Sequence, residues 1–188
     1  GLAGFVTLLP IFIMGLIFLY KLILLVTKNK CLSFLSVLIF LMNPYVLYYT
    51  ATPMMEVLFI SNLIAIAYFF SLWLEKGKIR DIVLCGIFVS LASTSRFEGF
   101  ILLPLLFILI LFQLVNKKKP WAEIEATQIL FGFLALLGLI FVLIFSWIYS
   151  GDPLTFFGRG WWLRSPVEGI KLTQGNFIVS LKYILHAL

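Results

Sequence analysis

Three groups of residues in this chain carry side chains suited to chemistry. The first is Glu56, in Thr52-Pro53-Met54-Met55-Glu56, where it is the one charge between Lys30 and Glu75. The second is Ser93-Thr94-Ser95-Arg96-Phe97-Glu98-Gly99. The third runs from Ser150-Gly151-Asp152-Pro153-Leu154 through Arg159 to Trp161-Trp162-Leu163-Arg164-Ser165-Pro166. An arginine offers a fork of donors that matches phosphate oxygens, and tryptophan rings cover the apolar faces of a sugar or lipid. Together these types point to a phosphate that bears a sugar or a lipid. Each also has a plainer use. Glu56 complements the positive end of a helix, Arg96 snorkels to the membrane boundary, and the tryptophans join an interfacial aromatic belt.

The elements that position these groups follow from composition. Of 188 residues, 63% are apolar and 12% charged, with a mean hydropathy of +1.14. A soluble domain holds about 25% charged residues, so a water-soluble enzyme, a nucleic-acid module and a disordered tail are excluded. Charge-free intervals at Gly1–Tyr20, Cys31–Met55, Val57–Leu74, Ile82–Ser95, Gly99–Asn116 and Ala126–Gly151 predict six spanning helices at about 20 residues each. A partial seventh starts near Asn176. The runs do not alternate apolar with polar, so a β-barrel is excluded. The expected fold is an all-α polytopic transmembrane bundle of six to seven helices, a single domain over residues 1–188.

Orientation follows from the lysines and arginines. Lys28–Lys30, Lys76–Arg80 and Lys117–Lys119 are basic connections, predicted to face the cytoplasm. The turns at Thr50–Glu56 and Ser95–Gly99 and the segment Gly151–Gln174 then share the opposite side, which gathers Glu56, Arg96, Glu98, Asp152, Arg159 and Arg164 at one face. Pro44 should kink or end the second helix, and Thr52-Pro53 should start the third with proline at the first helical position. The fourth interval has only 14 uncharged residues, about 21 Å of helix, which sets Arg96 at or below the lipid boundary. On a regular helix Arg96 and Glu98 would not face each other, but Gly99 invites a break of the kind tolerated beside a polar cavity.

Other groups carry less. Lys21 and Lys182 snorkel, and the Lys117–Lys119 run faces anionic lipid. Cys31 and Cys85 lack any metal-ligand or disulfide spacing, and His186 has no partner at a ligand spacing. No Gly-rich phosphate loop, GxSxG or HExxH occurs, so no cofactor is predicted, and the need for a divalent metal is open. The chain opens at Gly1 inside an apolar run and stops in another, which reads as a fragment of a longer protein.

The landmarks Asn43-Pro44, Thr52-Pro53-Met54-Met55-Glu56-Val57-Leu58-Phe59, Leu91-Ala92-Ser93-Thr94-Ser95-Arg96-Phe97-Glu98-Gly99 and Gly151-Asp152-Pro153-Leu154, in that order, resemble polytopic glycosyltransferases of the GT-C superfamily. The likeness covers about Asn43 to Trp162 and is to polyprenyl- or dolichyl-phosphate-sugar-dependent enzymes, protein O-mannosyltransferase-like or GPI-mannosyltransferase-like. The resemblance implies an integral enzyme of a prokaryotic plasma membrane or ER membrane. It would move a sugar, a hexose such as mannose, from a polyprenyl-phosphate donor to an acceptor on the non-cytoplasmic side. In that family a carboxylate in the first outer loop serves as base or positions the acceptor. No such loop is legible here, so the catalytic carboxylate is expected upstream of Gly1, and residues 1–188 alone are expected to be inactive. Glu56, Arg96, Glu98, Asp152, Arg159, Trp161, Trp162 and Arg164 are assigned to the donor site, with Arg96 facing the phosphate. A transporter or flippase for a lipid-linked or anionic substrate is the competing reading. Inverted repeats and paired discontinuous helices would favour it, and neither is seen in the sequence; a structural membrane subunit is the third reading.

Overall fold

A computed structural model describes residues 2–51, 54–96 and 98–151. The described residues form seven helices and no strand: α1 Leu2–Thr27, α2 Lys30–Leu41, α3 Pro44–Ala51, α4 Met55–Lys76, α5 Ile79–Ser95, α6 Gly99–Asn116 and α7 Trp121–Ser150. The chain divides into two compact units, Gly1–Phe145 and Ser146–Leu188, and the candidate site described below lies in the first.

Four helical stretches are long and apolar enough to cross a bilayer: Thr7–Thr27, Met55–Lys76, Gly99–Asn116 and Trp121–Tyr149. A fifth candidate is the pair α2 and α3, bent by 65°. This break falls at the expected proline. Pro44 lacks the N–H that would continue α2, and the Asn43 side chain accepts from Tyr45 N at 2.9 Å to cap the new helix. The 17-residue α5 is shorter than the four long stretches, and it is packed between neighbours that cover much of its surface.

Several boundaries differ from those read off the charge-free intervals. Helix α1 continues through Lys21 to Thr27, and α7 starts at Trp121, taking in Glu123 and Glu125. Charged side chains near a helix end reach water from within the helix, so a charge does not mark where the backbone stops. Helix α4 starts at Met55, not at Pro53, after an extended Met54 with φ −102° and ψ 146°. The expected proline start is therefore corrected, while Glu56 keeps its place in the first turn.

Helix α4 lies at the centre. Its buried face, including Ala65, Ile66, Phe69, Leu72 and Trp73, packs on Ile82, Cys85, Val89 and Ala92 of α5. Phe18 of α1 stacks on Tyr68 at 5.5 Å and meets Phe69 and Phe88 edge-on at 5.2 and 5.7 Å. Offset and edge-to-face rings of this kind contribute about 0.5–1.5 kcal/mol per pair beyond area burial. The outward faces of α6 and α7 stay apolar and exposed, as at Ile108, Phe112, Phe133 and Phe141, a pattern that suits lipid as the surrounding solvent.

Among the described residues, charge other than Lys21 gathers in two layers. At one end Lys28 Nζ pairs with Glu75 Oε1 at 2.9 Å, and Lys117 Nζ donates to the Leu74 carbonyl at 3.1 Å. These contacts bring all three basic connections together. At the other end stand Glu56, Arg96 and Glu98. The 22 residues of α4 join the two layers and span about 33 Å, close to the hydrocarbon thickness.

Candidate functional site

Arg96 sits where α5 stops. Its φ of −149° and ψ of 150° leave the helical region, while its N–H still bonds the Ala92 carbonyl at 3.1 Å. The three hydroxyls before it are spent on the helix: Ser93 and Thr94 donate to the Val89 and Leu91 carbonyls, and Ser95 donates to Leu91 as well. Such back-bonding satisfies short polar side chains inside an apolar span. The ionic side chains at 96 and 98 are left to face outward from the turn.

The turn is tight because of Gly99. Its N–H bonds the Arg96 carbonyl at 3.0 Å, and a Cβ there would stand 2.6 Å from the Ala92 carbonyl and from Ser93 N. Only glycine lets the start of α6 approach the last turn of α5 this closely. Glu98 serves as the first flanking residue of α6, where a carboxylate complements the positive helix end.

Three elements therefore deliver one cluster. Arg96 Nη1 lies 3.6 Å from Glu56 Oε1, and Arg96 Nε lies 3.4 Å from Glu98 Oε2. The break at Arg96 resolves the spacing problem, since residues two apart meet across a turn although they could not on a regular helix. Both contacts exceed the 2.7–2.9 Å, roughly, of a strong charge-assisted hydrogen bond. The side chains are part exposed, at 40% for Arg96, 28% for Glu56 and 45% for Glu98, so each pair contributes only about 0–1 kcal/mol. The cluster is poised more than locked. It holds one cation between two anions, and guanidinium donors remain for a third anion.

Beside the charges is an apolar hollow lined by Phe12, Phe40, Val46, Tyr49, Val57 and Ile60. Val57 follows Glu56 directly, so the hollow and the charged cluster share the first turn of α4. The bend between α2 and α3 creates it, by laying Val46 and Tyr49 against α1 and α4.

One polar residue in the same half of α4 escaped the sequence reading. Asn62 is 1% exposed, and its Nδ2 has no acceptor among the described residues. Its signal was faint, an uncharged polar side chain beside Ser61 in a long apolar run. Of the sequence-predicted site residues, the structure brings together Glu56, Arg96 and Glu98. Asp152, Arg159, Trp161, Trp162 and Arg164 lie outside the described residues, as does the partial helix from Asn176. Among the described residues no group of three His, Cys, Asp or Glu side chains is placed to hold a metal ion.

A helical bundle with ionic clusters at its two ends fits many membrane proteins, and comparison decides among them. The family model for dolichyl-phosphate-mannose-protein mannosyltransferase matches residues 1–149. The chain belongs to that family. No curated protein and no solved structure matches it. As a member of the dolichyl-phosphate-mannose-protein mannosyltransferase family, it is a multi-pass integral membrane glycosyltransferase of the GT-C type. Membership implies a mannosyltransferase-like activity that depends on a lipid-phosphate-linked sugar, with a dolichyl- or polyprenyl-phosphate sugar as donor.

Proposed function

We propose that the Glu56, Arg96 and Glu98 cluster forms the phosphate-facing wall of the donor site, from which a hexose such as mannose passes to an acceptor on the non-cytoplasmic side. The observation that carries this is the position of Arg96. A part-exposed guanidinium stands between carboxylates of two other elements, at the end of the bundle opposite the lysine-rich turns. The positive-inside rule assigns those turns to the cytoplasm, which leaves the cluster on the outer face.

The chemistry asks for such a group. Transfer breaks the bond between the anomeric carbon and the phosphate oxygen, and the lipid phosphate leaves with the electron pair. Negative charge grows on that phosphate in the transition state, and a guanidinium already placed in the turn favours the charged form. Glu98 and Glu56 hold Arg96 in the turn before the donor arrives, and the remaining oxygen of Glu98 is suited to a sugar hydroxyl. The hollow at Phe12, Phe40 and Tyr49 suits the first isoprene units of the donor. None of these residues is assigned as the catalytic base.

The test is Arg96→Ala in the intact protein, assayed in membranes for mannose transfer from dolichyl-phosphate-mannose. Loss of a hydrogen bond to a charged group costs about 1.5–3 kcal/mol, so transfer should fall by roughly 10- to 100-fold. Unchanged turnover in a folded variant refutes the phosphate contact.

A further inference from the structure

The end of the bundle opposite Arg96 carries a surplus of positive charge that contacts among the described residues do not balance. The turns at Lys28–Lys30, Lys76–Arg80 and Lys117–Lys119 hold eight cations, against four anions at Glu75, Asp81, Glu123 and Glu125. Contacts inside the protein account for part of it. Lys28 pairs with Glu75, Arg80 with Asp81 and Lys119 with Glu123, while Lys117 caps the Leu74 carbonyl and lies 5.9 Å over the Trp73 ring. Lys30, Lys76, Lys78 and Lys118 are exposed and have no ion pair or side-chain hydrogen bond among the described residues. All four lie within two residues of groups that converge on the C-terminus of α4.

The backbone adds to this. Lys28 and Lys118 adopt φ of 55° and 50°, the left-handed conformation that glycine takes without penalty, as Gly77 does at the end of α4 with φ 66°. A lysine occupies both positions against local preference. Lys28 spends its charge on Glu75; Lys118 has no partner among the described residues. Beside the unpaired lysines stand exposed apolar side chains, with Leu32 at 47%, Ile79 at 61% and Val115 at 51%. Ammonium groups above alkyl surface match a molecule with an anionic head and an acyl tail, which a soluble phosphate does not have.

We propose that Lys30, Lys76, Lys78 and Lys118 form a docking surface for anionic phospholipid headgroups of the adjoining leaflet, gathered around the C-terminus of α4. The proposal does not depend on the transferase assignment. The test uses the purified full chain in phosphatidylcholine membranes, with spin-labelled phosphatidylglycerol and phosphatidylcholine as probes of the lipid shell. The wild-type protein should select phosphatidylglycerol several-fold, with the preference weakening as salt rises from about 0.1 M to about 1 M. The combined Lys30→Gln, Lys76→Gln, Lys78→Gln and Lys118→Gln variant should lose most of the preference. The paired Lys119→Gln and Glu123→Gln variant, which removes one charge of each sign, should keep it. If the four glutamines unfold the chain, the four Lys→Arg changes must preserve both fold and preference. No selectivity in the wild type, equal selectivity in the four-glutamine variant, or competition by inorganic phosphate as effective as by lipid would overturn the proposal.

Discussion

Arg96 and Glu56 stand 3.6 Å apart at the open end of a helical hairpin whose closed end is the Gly77 turn. Helices α4 and α5 run antiparallel, so the first turn of one and the stop of the other reach the same level. The pair ties the two helices at the membrane boundary while remaining open enough to be recruited by a ligand. Neither residue could do this alone, because the short α5 and the early position of Glu56 in α4 must coincide.

Neutralising Glu56 tests that balance. As it stands the cluster carries two carboxylates against one guanidinium, which opposes an incoming phosphate. Glu56→Gln should leave thermal stability within about 1 kcal/mol, since part-exposed pairs contribute little. It should tighten binding of an anionic donor analogue several-fold, measured by titration in detergent. Weaker binding in a stable variant would show that Glu56 contacts the donor and does not merely hold Arg96.

The two glycines at the ends of the hairpin should respond differently to alanine. Gly99→Ala puts a Cβ 2.6 Å from the Ala92 carbonyl, which forces α6 to move at a cost of about 1–3 kcal/mol and displaces Glu98 from Arg96. Gly77→Ala meets no atom within 4 Å but keeps φ near 66°, for a strain of about 1–2 kcal/mol. Both should lower the melting temperature, and only Gly99→Ala should also depress transfer in the folded fraction.

Much of this was legible in the residues. The apolar runs marked the long helices, Asn43-Pro44 marked the bend, and Gly99 marked the break that frees Arg96. Segregation of lysines from Glu56 and Arg96 marked the two charged layers. What could not be read depends on geometry across helices. The start of α4 at Met55 depends on how Met54 extends, and the Glu98 contact appears only once the chain leaves the helix. Asn62 was hidden because an uncharged amide barely alters a hydropathy pattern, and the hollow at Phe12 and Tyr49 depends on the angle of a bend that no spacing encodes.

Asp81 offers a test of core energetics. It is 0% exposed, and among the described residues neither side-chain oxygen has a hydrogen bond and its one ion pair is to Arg80 Nε at 3.6 Å. Burying a carboxylate costs more than a loose pair returns. Asp81→Asn, nearly identical in shape, should therefore hold or raise the thermal midpoint in detergent. A fall of several degrees would show that the charge itself anchors the first turn of α5.

The two layers should also be separable by labelling. A single cysteine replacing Ser95 and another replacing Lys118, in a background without Cys31 and Cys85, should react with a membrane-impermeant maleimide from opposite sides of sealed vesicles. Labelling of both from one side would put Arg96 and the lysine turns in a single compartment, where the proposed donor wall could not form.

The most direct measurement is donor binding itself. The intact protein in nanodiscs, titrated with dolichyl-phosphate-mannose and followed by phosphorus NMR, should shift the donor phosphate resonance. Arg96→Ala should abolish that shift and weaken binding by at least about tenfold, with Arg96→Lys recovering part of the affinity. The same phosphate shift and the same affinity in folded Arg96→Ala would contradict the account.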